Sequence, residues 1–287
     1  MNFRQATDRD VDSIAAFTTG TFEWGDYVPD SIGDWIDSPD SIVMVATDTT
    51  DTPYAMGRCA LLTPQEAWLH AARVHPDRRG EGTAGDMAVV LTDWARDRGA
   101  LVARLLIEDQ NDPSVRHIDK TAFRRTTTVH RAHRTLAARQ PRLNGNGGHR
   151  RRSPLVAAEG TGTDAELVVA SWTSGEPGRK LRGLLARNWS FHRLRSVDVQ
   201  QAATRGMLWE VAGSWAIARH EDETFEVLMV DASETDAEDI VRALVDVAYD
   251  RKAERFSMWV ADCPWLADAA RASGCDVVPN GIYAQPL

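Results

Sequence analysis

One stretch of this chain occurs twice, and that repetition constrains the fold more than any other feature. Residues 84–109 align with 237–262 without a gap at an offset of 153. Ala84, Asp86, Leu91, Asp93, Ala95, Asp97, Arg98, Ala100 and Asp109 meet identical residues at Ala237, Asp239, Leu244, Asp246, Ala248, Asp250, Arg251, Ala253 and Asp262. In the first copy Met87, Ala88, Leu91, Trp94 and Ala95 recur at helical spacing. Gly99 suits the C-terminal cap of that helix, and Leu101 to Ile107 is apolar enough for a central strand. A helix and strand that return in phase half a chain later point to two like domains in tandem. At 287 residues the chain is long enough for two cores.

The first half alternates strands and helices. Asn2–Ala6 reads as a short strand, and Thr7-Asp8 caps a helix over Val11 to Phe17. A second helix is expected around Ile32 to Ile36. Ser41 to Thr47 and Ala55 to Leu62 read as strands joined by the Asp51-Thr52-Pro53 turn, followed by a strand from Glu66 to Val74. His75-Pro76 breaks that strand. Arg79-Gly80-Glu81-Gly82-Thr83-Ala84 then opens a helix running to Arg98. A glycine-bearing turn between strand and helix presents free N–H groups where the helix dipole adds partial positive charge, so it can hold phosphate. The corresponding stretch of the second copy, Ala232-Ser233-Glu234-Thr235-Asp236-Ala237, has neither glycine nor arginine. Its Asp236 would repel phosphate.

Charge and composition narrow the function classes. The net charge is -9, with 42 acidic and 33 basic residues. Only Lys120, Lys180 and Lys252 are lysine, and aspartate outnumbers glutamate two to one. This bias fits GC-rich coding or a protein hydrated in a salty cytoplasm. Residues 124–152 hold nine arginines, three histidines and no acid. Without interleaved aromatics this run reads as a solvated basic strand and linker, and nucleic acid is an unlikely partner. The turn-rich Leu143 to His149 places a domain linker in 136–163. Cys59, Cys263 and Cys275 lack metal-ligand spacing and read as buried free thiols. No metal is expected. No apolar run reaches the ~20 residues that span a bilayer, and the N-terminus lacks a signal peptide. A cytoplasmic protein without a membrane partner is expected. The tryptophans of the second half, Trp172 to Trp265, read as core.

Ala72-Arg73-Val74-His75-Pro76-Asp77-Arg78-Arg79-Gly80-Glu81-Gly82-Thr83-Ala84 resembles the acetyl-CoA-binding motif of the GNAT superfamily of N-acetyltransferases. In that motif a strand and Val-x-Pro lead into Arg/Gln-x-x-Gly-x-Gly/Ala at a helix start. Arg79, Gly82 and Ala84 fill the three defining positions. The resemblance covers about residues 2–125 and, in eroded form, roughly 165–287. It implies an α+β fold (three-layer α/β) of two tandem GNAT-like domains, each a mixed, mostly antiparallel sheet flanked by helices. The implied division is a cofactor-binding domain at 1–135, the basic, Gly-rich linker at 136–163, and a degenerate domain without a phosphate loop at 164–287. Asp26-Tyr27-Val28-Pro29 and Glu108-Asp109-Gln110 are also similar to a subgroup that acetylates free histidine.

The resemblance further implies an acetyl-CoA-dependent N-acetyltransferase acting on a primary amine of a small molecule, amino acid or peptide N-terminus. The backbone of Gly80, Glu81, Gly82, Thr83, Ala84 and Gly85 would hold the pyrophosphate, with Arg79 beside it. The main chain of Ala72, Arg73 and Val74 would pair with the pantetheine arm, and one of its N–H groups could polarise the thioester carbonyl. Asn111 is a further cofactor contact. The amine must lose a proton. His70, where many members carry glutamate, is the expected base, and Glu66 on the same strand face is the second candidate. Asp26, Tyr27 and Trp24 are candidate acceptor contacts. The chain departs from the family at Ile118, where a tyrosine usually protonates the leaving thiolate; His117 or water would take that role. The alternative is a non-catalytic acetyl-CoA sensor or partner-binding module. The oligomeric state stays open.

Overall fold

The computed structural model of the chain describes residues 2–19, 21, 25–137 and 157–287. Trp24 and most of the expected linker, 138–156, lie outside the described residues, as do the arginines from Arg139 to Arg152. The chain forms two compact units, Met1–Thr126 with Ile282–Leu287, and Thr127–Gly281.

The first unit runs β1 (Asn2–Gln5), α1 (Val11–Thr18), α2 (Val28–Asp37), β2 (Ser41–Thr47), β3 (Pro53–Thr63), β4 (Glu66–Val74), α3 (Thr83–Asp97), β5 (Val102–Glu108), α4 (Asp112–Ile118) and the start of β6 (Arg124–Thr135). β1 to β4 pair antiparallel in order, and β4 and β5 pair parallel. Every residue of β2 is buried, because both faces of the sheet are covered. Ile42, Met44 and Ala46 face the cluster containing Met87 and Leu91 of α3. Val43 and Val45 face the cluster containing Ile14 and Ile32 of the first two helices. This is the period-two alternation of a central strand. α3 lies so close to β3 that a Cβ on Gly57 would come within 3.0 Å of both Leu91 and Met87. The second helix starts earlier than its apolar spacing suggests. Pro29 fits the first turn, and the Asp26 carboxylate accepts from the Val28 N–H at 3.0 Å.

The second unit contains β7 (Ala158–Glu159), α5 (Ala165–Ser174), α6 (Glu176–Lys180), β8 (Leu184–Arg187), β9 (Ser190–Arg193), α7 (Ser196–Thr204), β10 (Leu208–Val211), β11 (Ser214–Glu221), β12 (Thr224–Val230), α8 (Ala237–Asp250), β13 (Arg255–Ala261), α9 (Pro264–Ala272) and most of β14 (Asp276–Pro286). At the offset of 153 residues β5 falls on β13 to the residue, and α3, α4 and β6 fall on α8, α9 and β14 to within two. The repeat is therefore structural as well as textual. All three cysteines are buried and unpaired, and burial pushes the Cys59 thiol up to about 12.

The two repeats exchange their last strands. β6 of the first repeat pairs antiparallel with β13, from Val129↔Ala261 to Thr135↔Arg255. The end of β14 lies beside β5 in the first unit, where Leu287 N–H donates to Leu101 C=O at 3.0 Å. Ile282 is fully buried, and Tyr283 joins the core cluster of α3. The units accordingly do not follow the boundaries 1–135 and 164–287. Composition marks a linker, but a strand's sequence does not say which copy of a repeated neighbour it joins. A chain ending at Gly281 keeps all of 1–135 yet should lose more than about 3 kcal/mol of stability in its first unit, since deleted core aromatics cost about that much. Urea unfolding of the truncated and full chains tests this; an unchanged midpoint would contradict the exchange.

Candidate functional site

The site begins where β4 leaves β5. The two pair only at Glu66↔Val102, Ala67↔Ala103 and Trp68↔Arg104. Beyond Trp68 the register of β4 with β5 ends. The departure has a local cause. Ala71 adopts φ 57, and the pairing with β3 slips between Met56 and Arg58, so Gly57 faces two residues of β4. Such a bulge bends and twists its strand. Beyond it Ala72 is exposed, and Arg73 and Val74 are half-buried.

The glycine loop closes the end of this notch. Gly80 and Gly82 both adopt φ 86, and a Cβ on either would meet nothing within 4 Å. The requirement is therefore conformational, and space is left for a ligand. The N–H groups of Gly80, Glu81, Gly82, Thr83 and Ala84 make no hydrogen bond among the described residues. Five consecutive free donors at the start of a 15-residue helix form an anion cradle. Gly85 is excluded from it, because its N–H donates to Gly82 C=O at 2.9 Å. Its absent side chain matters instead, since a Cβ there would lie 3.3 Å from the His117 ring. Arg79 ties the loop to β4 by donating to Val74 C=O at 3.2 Å. Glu81 is neutralised by Arg78 at 2.9 Å. Asn111 does not reach the loop through its carbonyl oxygen, which caps α4 by accepting from Ser114 N–H at 3.2 Å.

The two expected proton acceptors are both engaged. His70 Nε2 lies 3.0 Å from Arg58 Nη1. A guanidinium only donates, so Nε2 accepts and the proton sits on Nδ1. Burial, then Arg58 and Arg73, push the His70 pKa down to about 3. His70 is thus held neutral, but it is a weak base whose lone pair is already used; the arginine beside it, not visible as a neighbour in the sequence, corrects the expected role. Glu66 accepts from Arg104 Nη1 at 2.6 Å in a buried ion pair. It stands at the paired end of β4, roughly 13 Å along the strand from His70 at ~3.3 Å per residue. There it joins β4 to β5 rather than facing the notch.

On the α2 side an arginine-aromatic cluster lines the approach. Asp26, whose side chain is buried, accepts from Arg73 Nε and Nη2 at 2.7 and 3.2 Å. Burial raises the Asp26 pKa, but Arg73 and the Val28 N–H overcome this and hold the carboxyl below its usual range. Tyr27 lies 5.5 Å from the Arg73 guanidinium and meets Trp35 edge-on at 5.9 Å. Trp35 meets His70 at 5.1 Å and carries Arg58 over its face at 5.0 Å. Sequence reasoning missed Arg58. The available signal was a lone charge in the apolar run Ala55-Met56-Gly57-Arg58-Cys59-Ala60-Leu61-Leu62. Among the described residues there is no group of three or more His, Cys, Asp or Glu placed to hold a metal, and no helix is long and apolar enough to cross a membrane.

Two outcomes check these assignments. The unfolded imidazole titrates near 6.5 and the folded His70 near 3. The unfolded state therefore takes up the proton first, and stability falls as pH drops from about 6.5 towards 3. A ring titration by NMR should show His70 unchanged between pH 8 and 5, and an inflection near 6.5 would refute the buried neutral form. Glu66→Gln should destabilise by about 3 kcal/mol through the unpaired Arg104, with the loss visible in denaturant midpoints.

The model of the acetyltransferase (GNAT) family matches residues 11–123. "Probable N-acetyltransferase 16" of Homo sapiens is 23% identical over 223 residues, covering 74% of this chain; the chain spans 58% of that protein's length. A GCN5-related N-acetyltransferase structure from Sphaerobacter thermophilus superimposes with TM-score 0.67 at 13% identity, covering 99% of this chain and 95% of that one. A tandem GNAT protein from the clavulanic acid biosynthesis pathway does so with TM-score 0.59 at 12% identity, covering 99% and 98%. These two likenesses concern the fold, which is mixed α/β with a large, mostly antiparallel sheet flanked by helices. The loop and the parted strands thus lie within the stretch, residues 11–123, that is similar in sequence to the acetyltransferase (GNAT) family.

Proposed function

We propose that the chain is an acetyl-CoA-dependent N-acetyltransferase that acetylates a primary amine by direct attack in a ternary complex. The observation that carries this reading is the run of five free N–H groups, Gly80 to Ala84, after the point where β4 parts from β5. The cradle suits a pyrophosphate by charge and donor count. The main chain of Ala72, Arg73 and Val74 offers an added-strand surface for the amide groups of a pantetheine arm. A main-chain N–H near Arg73 or Val74 would stabilise the oxyanion as the amine adds to the thioester carbonyl. Acetyl-CoA supplies the acyl group, and the residues of β4 and α3 supply its orientation.

With His70 committed to Arg58 and Glu66 to Arg104, the ammonium proton of the acceptor leaves to water at the exposed Ala72 end of the notch. Ile118, at the position of the family's tyrosine, is buried in the core and cannot donate a proton. His117, half-exposed with its ring against Gly85, is the side chain of α4 placed to protonate the leaving thiolate. The engaged His70 and the buried Ile118 favour a second reading, a module that binds acetyl-CoA without turnover.

Thiol release from acetyl-CoA against a panel of amines separates the two. Turnover supports the first reading; saturable acetyl-CoA binding without thiol release on any amine supports the second. Gly82→Val forces a β-branched residue into φ 86 and should weaken acetyl-CoA binding at least tenfold by calorimetry. Unchanged affinity would remove the cradle from both readings. His117→Ala should lower kcat more than it raises the KM for acetyl-CoA.

A further inference from the structure

Among the described residues, two arginines around the site have no acid partner: Arg79, which donates to Val74 C=O in the loop, and Arg58. Arg4 pairs with Asp10, Arg73 with Asp26, Arg78 with Glu81 and Arg104 with Glu66. Arg58 has neutral partners only. Its Nε and Nη2 donate to Ser41 Oγ at 3.2 and 3.1 Å, its Nη1 donates to His70 Nε2 at 3.0 Å, and Trp35 lies under its plane at 5.0 Å. Among the described residues no carboxylate lies within ion-pair distance of it. The residue is half-buried, and burial already works against its charged form. A guanidinium carries five N–H groups. Three are used, which leaves one on each terminal nitrogen, the pair that a carboxylate accepts in a two-point contact. Removing a cation from water without a counter-ion is costly unless an anion arrives to complete it.

Its place in the fold decides what that anion belongs to. Arg58 pairs in register with His70, one residue before the bulge that parts β4 from β5. The notch thus lies across β4 from β3, one strand spacing (about 4.8 Å) from the strand that carries Arg58. The nearby charge of Arg73 is already cancelled by Asp26. Trp35 and the exposed Tyr27 ring provide an apolar wall beside the same spot.

Building on the acetyltransferase reading, we propose that Arg58 anchors the carboxylate of the acceptor, and that the acceptor is a free amino acid rather than an uncharged amine or a peptide N-terminus. A free amino acid carries its amine and carboxylate one carbon apart, which suits a cation beside the reacting centre. A peptide N-terminus presents an amide there, and an amine without the carboxylate leaves Arg58 unmatched.

The test compares L-amino acids, their amides and their decarboxylated amines, both as acceptors in thiol release and as ligands by calorimetry with CoA present. The free acids should be preferred by about a hundredfold in kcat/KM, a typical loss when one partner of a charge-assisted bidentate contact is absent. Arg58→Met should remove that preference and leave the decarboxylated amines within about threefold of the wild type. Arg58→Lys keeps the charge without the fork and should recover part of it; circular dichroism of both variants checks folding. Turnover that ignores the carboxylate overturns the anchor while leaving the acetyltransferase reading intact. Amino acids that bind in an Arg58-dependent manner without thiol release support the anchor and contradict the catalysis. Amino acids that neither bind nor react overturn the anchor.

Discussion

The first unit depends on a single loss of pairing. If β4 and β5 stayed hydrogen-bonded along their length, the edge from Leu69 to Val74 would be occupied, and the loop after β4 would close on a continuous sheet. The bulge at Ala71 prevents this. An alanine at φ 57 is strained by about 1–2 kcal/mol relative to an extended one, and the packed surroundings hold it there. Ala71 is buried in the cluster containing Ile14 and Ile32, and Gly57 across from it is pressed by α3. Two layers of core thus fix the point where the strand turns away. The parting of β4 from β5 follows from that turn.

Charge pairing divides the polar residues around this opening into supports and free groups. The Glu66–Arg104 pair holds the closed end of the β4–β5 pair, and Asp26–Arg73 holds the segment before α2 against β4. Both are buried enough that loss of one partner would strand a charge. His70 belongs with the supports: its neutral ring spans Arg58 and Trp35. What remains uncommitted is small. Among the described residues it includes the N–H groups of the cradle, the terminal nitrogens of Arg79, the two spare donors of Arg58 and the ring of His117. Recognition in this unit therefore rests on hydrogen-bond donors more than on titrating side chains, which is consistent with a reaction in which anionic groups must be positioned and an oxyanion stabilised.

Much of the backbone was legible in the sequence because it is set by local rules. β2 and β4 fall where the apolar alternation places them, and α3 begins where Gly82 permits a left-handed residue before Thr83. The repeat was legible through nine identities. The exchange of β6 and β14 was not, because both copies of the neighbouring strand are apolar and either could accept either partner. The loop residues were expected to act as a group, and Gly85 differs from the rest: its N–H is spent in the first helical turn, and a Cβ there would meet the His117 ring. The roles expected of His70 and Glu66 depend on Arg58 and Arg104, which lie 12 and 38 residues away. Residue type gave the chemistry each group is capable of, and only tertiary neighbours decide whether that chemistry is available.

The second copy shows what the notch requires by lacking it. β12 and β13 pair parallel only from Thr224↔Arg255 to Val227↔Met258, so the parting of strands survives in the repeat. Leu228, Met229 and Val230 beyond it are buried, whereas Ala72 at the open edge of the first copy is exposed. The loop has changed with it. Ser233 and Thr235 hydroxyls donate to the Asp236 carboxylate at 2.9 and 3.3 Å, and no residue from Ala232 to Ala237 adopts a positive φ. A carboxylate now occupies the helix start where the first copy offers free N–H groups, a favourable arrangement for the helix and an unfavourable one for phosphate. Parted strands alone are therefore insufficient. On the proposed reading a cofactor site needs an exposed edge and a loop that leaves its donors unspent, and the two copies differ at those two features while sharing the scaffold between them.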